Sequence, residues 1–286
     1  MPPGVTLLSP ENFPLDTSDL SQVDFYVPTY MTGAKGLSYV EKMTNLKVLQ
    51  MPNAGYEDAM AHLRPGLTLC NATGVHDAST AELAVGLAIA SRRGFAEFMK
   101  DQNDGVWNHR RFPALSDSKV GIVGYGSIGK EIAKKLSVFD VEITAFTQSG
   151  RDGSLKVEEL DAHLPKLDIV ILILPLTDSS RHMFDAARLS KMKDGALLIN
   201  MARGPVVVTD ALVAELQSKR LFAALDVTDP EPLPAGHPLW KAPNLILVPH
   251  VGGNSEAFEP RGRKLIESQL LLLSQGKALE HVVAQG

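Results

Sequence analysis

The chain has 286 residues, enough for two ordinary domains, since single hydrophobic cores stop growing near roughly 250 to 300 residues. With 44% hydrophobic and 21% charged residues and a mean hydropathy of +0.00, it belongs to neither the disordered nor the membrane class. A net charge of −5 without a Lys/Arg run argues against a nucleic-acid partner, and the single Cys70 excludes an intrachain disulfide and a cysteine zinc site, so no metal is expected.

The first residues, Met1 to Thr6, show no basic segment followed by an apolar stretch, so no secretory signal is expected. The longest apolar runs, such as Ile169 to Leu174, are too short to span a bilayer. No membrane partner and a reducing, cytoplasmic setting are the expectation. Short apolar runs at Val5 to Leu8, Val23 to Val27, Leu46 to Leu49 and Leu67 to Cys70 then predict strands of an open α/β unit. Ser79-Thr80-Ala81-Glu82 reads as a capping box, and Leu83, Leu87 and Ala90 follow at helical spacing, which predicts a helix crossing from one domain to the next.

From Val120 onward, buried strands are predicted at Val120 to Val123, Val141 to Phe146, Ile169 to Leu174, Ala196 to Ile199, Phe222 to Leu225 and Leu245 to Val248. Helical stretches separate most of them, the pattern of a parallel sheet covered on both faces. The stretch from Ser255 to Gln275 reads as a terminal helix that packs back on the first domain.

Between the first of these strands and its helix stands Gly124-Tyr125-Gly126-Ser127-Ile128-Gly129. Glycines here permit a tight turn and a close approach to a pyrophosphate, and the helix N-terminus supplies N–H donors. The motif alone is also met in ligand-free turns; the strand before it and the helix after it favour a dinucleotide. An NAD site calls for an acidic residue about 20 residues further on, yet the next strand ends in Phe146-Thr147-Gln148-Ser149-Gly150-Arg151. Thr147 stands where the acid belongs, while Ser149 and Arg151 suit a 2′-phosphate, so NADP is expected first and NAD second.

Three residues at later strand ends can form a reaction centre: Arg203 after Ile199, Glu231 in Asp226-Val227-Thr228-Asp229-Pro230-Glu231-Pro232, and His250 in Pro249-His250-Val251-Gly252-Gly253. The guanidinium can clamp a carboxylate, and a histidine beside a carboxylate is a tunable acid and base. Asp229 is the rival carboxylate.

The chain resembles the D-isomer-specific 2-hydroxyacid dehydrogenase family, including its glyoxylate/hydroxypyruvate reductases. The likeness rests on an ordered set: Asn53-Ala54-Gly55, Asn71 to Val75, Thr80-Ala81-Glu82, Val120 to Gly129, Leu174 to Thr177, Asn200 to Gly204, Ala224 to Pro232 and Pro249 to Gly252. The resemblance implies that His250 is the acid/base, Glu231 its partner and Arg203 the carboxylate clamp. It implies that Asn53, Ala54 and Gly55 form a loop for the substrate carboxylate. Asp226 would meet the nicotinamide carboxamide, with Pro175, Thr177, Met201, Ala202, Gly252 and Gly253 completing the cofactor cradle. Departures from the family pattern are Thr147, a shorter N-terminal domain, and Tyr56-Glu57 after the carboxylate loop.

The expected architecture is α/β: a Rossmann-type doubly wound parallel sheet at 85–258, a smaller flavodoxin-like α/β substrate domain at 1–84, and a C-terminal helix at 259–286 completing the latter. The expected activity is NAD(P)-dependent interconversion of a 2-keto acid and a D-2-hydroxy acid, as a homodimer joined through the long helix from Ser79 or the segment around Trp107. Tyr30, Met31, Met51, Pro52 and Tyr56 are candidate pocket residues and hint at some apolar bulk in the substrate; glyoxylate, hydroxypyruvate and larger keto acids all stay open. A dinucleotide-sensing scaffold with little turnover is the rival reading.

Overall fold

The computed structural model describes residues 2–9 and 11–286; Met1, part of the N-terminal stretch read above, and Pro10 lie outside the described residues. The strands in chain order are β1 (Phe25–Tyr26), β2 (Val48–Gln50), β3 (Thr68–Cys70), β4 (Lys119–Val123), β5 (Glu142–Thr147), β6 (Leu155–Lys156), β7 (Ile169–Leu172), β8 (Leu197–Asn200), β9 (Phe222–Leu225), β10 (Leu245–Leu247) and β11 (Val282–Gln285). The α-helices are α1 (Gly33–Leu37), α2 (Asp77–Arg92), α3 (Phe95–Asn103), α4 (Ser127–Leu136), α5 (Leu160–His163), α6 (Ala186–Ser190), α7 (Thr209–Gln217) and α8 (Phe258–Ser274).

The chain divides into two compact units, one of Met1–His76 with Glu256–Gly286 and one of Asp77–Ser255. These breaks differ from the expected 84/85 and 258/259. Helix α2 accounts for the first difference: it starts at Asp77, two residues before Ser79, and lies wholly in the second unit rather than crossing between domains. Ser79, the expected N-cap, therefore lies inside the helix, and Thr80 beside it is buried with its methyl near Gly252.

In the second unit seven parallel strands are ordered β10-β9-β8-β7-β4-β5-β6. All four residues of β7 are buried, because side chains alternate across a sheet that is covered on both faces. Val170 and Leu172 join one core with Leu160 of α5, Leu189 of α6 and Leu212 and Leu216 of α7. Ile169 and Ile171 join the other with Ala81, Ala84, Leu87 and Ala88 of α2 and Ile132 and Leu136 of α4. The continuous apolar runs of the sequence are the imprint of these two layers. The strand order reverses direction between β4 and β7, where ligands gather in doubly wound sheets.

The first unit holds a four-stranded sheet ordered β1-β2-β3-β11, the first three strands parallel and β11 antiparallel to β3. Val5 to Leu8, expected as a strand, is irregular, and Leu7 and Leu8 are exposed, having no layer to be buried against. Helix α8 belongs to this unit, as the terminal helix was expected to, and its buried Gln269 donates to Gln50 at the end of β2 at 2.9 Å.

Candidate active site

The glycine turn between β4 and α4 is shaped by close backbone approach. A Cβ on Gly124, whose φ is +102°, would fall 2.1 Å from the Ile173 carbonyl oxygen, and one on Gly129 would fall 2.3 Å from that of Gly124. A Cβ on Gly126 would meet nothing within 4 Å, and no side chain caps helix α4. The first-turn N–H groups are therefore available to a pyrophosphate, and the site fits a dinucleotide. Tyr125 and Ile128 pack their side chains against the core, so their contribution to such a ligand is through the backbone.

After β5, Thr147 organises its loop. Its hydroxyl oxygen accepts from the N–H groups of Gly150 at 3.0 Å and Arg151 at 3.3 Å, and shares a 2.8 Å bond with Ser154. Gln148, Ser149 and Arg151 are exposed around this turn, and Asp152 is paired with Lys130 of α4 at 2.8 Å. The loop thus offers an unpaired acid nowhere between Thr147 and Arg151. After β7, the Ser180 hydroxyl donates to the Pro175 carbonyl and accepts from the Thr177 N–H, both at 2.8 Å, which folds Pro175 to Thr177 into a tight turn. Ser180 is not among the residues expected at the site, although a hydroxyl three residues after Thr177 is a turn signal.

The loops after β8, β9 and β10 carry the three expected catalytic side chains. Asn200 ends β8 fully buried; its amide accepts from the Ala202 N–H and donates to the Arg203 carbonyl, both at 3.0 Å, so it sets the turn that presents Arg203. Arg203 in turn donates to the Ala202 carbonyl at 2.8 Å. Met201 and Ala202 bury their side chains in the two cores, leaving their backbone to the cradle. Gly204 follows because nothing larger fits: a Cβ there would lie 1.8 Å from the Thr228 carbonyl oxygen. This contact draws the β8 loop against the β9 loop and hence Arg203 toward the segment that bears Glu231.

His250 sits in the left-handed region at φ +52°, and its N–H donates to the Asp226 carbonyl at 2.7 Å. The buried Asp226 carboxylate accepts from the N–H groups of Val251 at 2.7 Å and Gly252 at 3.1 Å, which fastens the turn. Each of its oxygens retains a second lone pair. Burial pushes the Asp226 carboxyl above its ordinary range, partly offset by these two N–H groups. His250 Nδ1 bonds Glu231 Oε1 at 2.5 Å, while the rival Asp229 is engaged through its carbonyl, which accepts from the Thr209 hydroxyl at 2.8 Å.

The Glu231 hydrogen bond raises the His250 imidazole above its ordinary pKa against the pull of burial; the Asp226 charge adds to the rise and the Arg203 charge opposes it. Burial pushes the Glu231 carboxyl up, but the bond to His250, the imidazolium charge and the Arg203 charge outweigh it and hold it below its usual value. Nδ1 of the imidazole is thus occupied by a carboxylate that favours its protonated form, while the Arg203 charge acts on both groups.

In the first unit, Asn53, Ala54 and Gly55 form a half-buried loop after β2. Of the suggested pocket residues, Met51 is buried in the core of this unit, Tyr56 packs against that core, and Met31 is exposed; the apolar character of Met51 and Tyr56 is used in packing. Tyr30 belongs to a cluster of three rings with His76 and Phe258, with centroids 4.4 to 5.4 Å apart.

Residues 85–252 match the family described as D-isomer specific 2-hydroxyacid dehydrogenase, NAD binding domain. The chain is 36% identical over 248 residues to a glyoxylate reductase of Thermofilum pendens, an alignment covering 82% of this chain and 73% of that protein. Among solved structures it is similar to a D-isomer specific 2-hydroxyacid dehydrogenase family protein of Aeromonas salmonicida, with a TM-score of 0.84, 26% identity, and coverage of 93% of this chain and 86% of that one. It is likewise similar to an NADPH-dependent glyoxylate/hydroxypyruvate reductase of Sinorhizobium meliloti solved with NADP and sulfate, with a TM-score of 0.80, 26% identity, and coverage of 93% and 86%.

Proposed function

Because the chain belongs to the D-isomer specific 2-hydroxyacid dehydrogenase family and is an NAD(P)-dependent enzyme of 2-keto and 2-hydroxy acids, we propose that His250, Glu231 and Arg203 carry its reaction. The observation that carries this reading is the 2.5 Å bond between His250 and Glu231, with the Arg203 charge acting on both. In the direction of reduction, Arg203 binds the substrate carboxylate and polarises the ketone. When bound, the dihydronicotinamide would supply the hydride that the carbonyl carbon takes up. His250 Nε2 gives its proton to the carbonyl oxygen, yielding the hydroxyl, and Glu231 holds the imidazole oriented and charged until that transfer. The backbone N–H groups of the Asn53–Gly55 loop serve as further donors to the carboxylate, by resemblance to the family.

The turn from Gly124 to Gly129 would hold the dinucleotide, and by resemblance to the family Pro175, Thr177, Asp226, Gly252 and Gly253 would complete its cradle. NADP is the favoured form. Supporting it are the threonine at the end of β5, exposed Ser149 and Arg151 beside it, and the pairing of Asp152 with Lys130. Thr147→Asp keeps an acceptor for the Gly150 and Arg151 N–H groups while placing a negative charge by the 2′-phosphate. It is expected to weaken NADPH by about tenfold and NADH far less, read by fluorescence titration; equal affinities before and after would overturn the assignment.

The protein acts as a homodimer in this reading, through the segment around Trp107. Trp107 is 99% exposed and is accompanied by exposed Phe95, Phe98, Met99 and Val106. The sensing scaffold is not favoured: the similar proteins of Thermofilum pendens and Sinorhizobium meliloti are reductases, and the His250–Glu231 contact supports turnover.

The test is absorbance at 340 nm with glyoxylate, hydroxypyruvate and bulkier 2-keto acids, run in parallel with NADPH and NADH. Consumption of reduced dinucleotide with one of these acids is expected. No turnover across the panel, with dinucleotide binding intact, would move the reading to the scaffold.

A further inference from the structure

Every carbonyl from Met51 to Gly55 is hydrogen-bonded. Gln50 Nε2 donates to Met51 at 2.9 Å, and His76 Nε2 is 2.9 Å from the Pro52 oxygen. The Ala72 N–H donates to Asn53 at 3.0 Å, Asn71 Nδ2 to Ala54 at 2.8 Å and Asn53 Nδ2 to Gly55 at 2.8 Å. Among the described residues, none accepts a hydrogen bond from the N–H of Ala54 or Gly55. A loop with its carbonyl oxygens tied and these donors left over has the surplus of N–H groups that an anion would use.

Behind this loop runs a chain of buried amides. Gln269 of α8 is fully buried, and Gln50 is 1% exposed. Gln269 Nε2 donates to Gln50 Oε1 at 2.9 Å and to the Glu280 carbonyl at 2.8 Å, and its Oε1 accepts from the Glu280 N–H at 2.9 Å. Gln50 Nε2 spends its two protons on the Met51 and Asn71 carbonyls, both at 2.9 Å. Both donor protons of each side-chain amide are therefore used, and neither amide can flip without breaking bonds. Apolar side chains would fill the same space without such exacting partners; what a satisfied polar network adds is a single geometry.

We propose that Gln269 and Gln50 are positioning residues for substrate. Through Met51 and Asn71 they hold the Asn53–Gly55 loop so that its free N–H groups meet the carboxylate; the proposal rests on the reading of that loop as a carboxylate site. A preorganised receptor loses less on binding, so loosening it weakens affinity before it slows chemistry.

The experiment compares Gln269→Met with Leu270→Ala, a buried neighbour on the same helix whose truncation lowers stability without touching the amide chain. With the 2-keto acid that the wild type turns over best, Gln269→Met is expected to raise KM and the inhibition constant of oxamate by about tenfold, with kcat and dinucleotide affinity nearly unchanged. The backbone amide resonances of Ala54 and Gly55 should shift. Leu270→Ala is expected to lower Tm and leave KM and those resonances in place. An unchanged KM with unmoved resonances in Gln269→Met would overturn the proposal, as would an equal rise of KM in Leu270→Ala. Gln50→Met reads the same quantities should Gln269→Met fail to fold. A wild type inactive on every 2-keto acid would instead fail the functional reading, and the resonances would still decide whether the amides position the loop.

Discussion

In the proposed reaction, proton transfer at His250 Nε2 depends on one contact, His250 Nδ1 to Glu231 Oε1. Reduction draws on the protonated imidazole, so kcat/KM for the keto acid should be flat at low pH and fall as pH rises through the His250 pKa. Glu231 raises that pKa above 6.5, so the falling limb lies above that value. Glu231→Gln removes the carboxylate charge and should move the limb to lower pH, as a pH profile of reduction would record; an unmoved limb would mean the pair does not set the proton affinity. Arg203→Ala is expected to lower kcat/KM by roughly a hundred- to a thousand-fold, the scale seen on removing one donor to a developing oxyanion. Dinucleotide affinity should survive that change, and a parallel loss of both would point to misfolding.

The site is assembled by loops at the ends of β8, β9 and β10, and their spacing is set by backbone contact more than by side chains. Gly204 is the tightest point, since an added Cβ would lie 1.8 Å from the Thr228 oxygen. Gly204→Ala should force the two loops apart, lowering stability by about 1 to 3 kcal/mol in urea unfolding and reducing turnover by more than that loss of stability accounts for. A variant of wild-type stability and activity would show that the loops have room to spare. The strands behind these loops were legible because both faces of the large sheet are buried, which writes apolar residues at consecutive positions such as Ile169 to Leu172. Strands β6 and β11 were missed: the first has two residues, and the second, Val282–Gln285, carries only the short apolar run Val282 to Ala284 and is not buried at any position.

At the scale of the molecule, the exposed large apolar side chains of the described residues are scattered except in one stretch. Phe95, Phe98, Met99, Val106 and Trp107 are exposed, and the Arg110 guanidinium lies over the rings of Phe98 and Phe112 at 5.7 and 5.6 Å. If a second copy covers this stretch, light scattering should give twice the 30.9 kDa chain mass, and Trp107→Asp should shift the population toward the monomer. A wild type that runs as a monomer at micromolar concentration would remove the dimer from the reading. Helix α2, the other suggested interface, buries Thr80, Ala81, Ala84, Val85, Leu87 and Ala88 within its own unit.

The sequence by itself determined the doubly wound sheet and the glycine turn, and it offered Arg203, His250 and two rival carboxylates, Glu231 and Asp229, as candidates for the reaction centre. Periodicity, glycine spacing and residue type are local properties that one strand and the loop after it carry in full. Only the tertiary structure decided that Glu231 rather than Asp229 meets His250, that Thr147 spends its hydroxyl on its own loop, and that Asn200 and Asp226 fasten the catalytic turns. It alone joined Gln50 to Gln269, a hydrogen bond across 219 positions of chain. Such contacts depend on where buried donors find acceptors after the layers have packed, and no window of sequence short enough to show a period contains both partners.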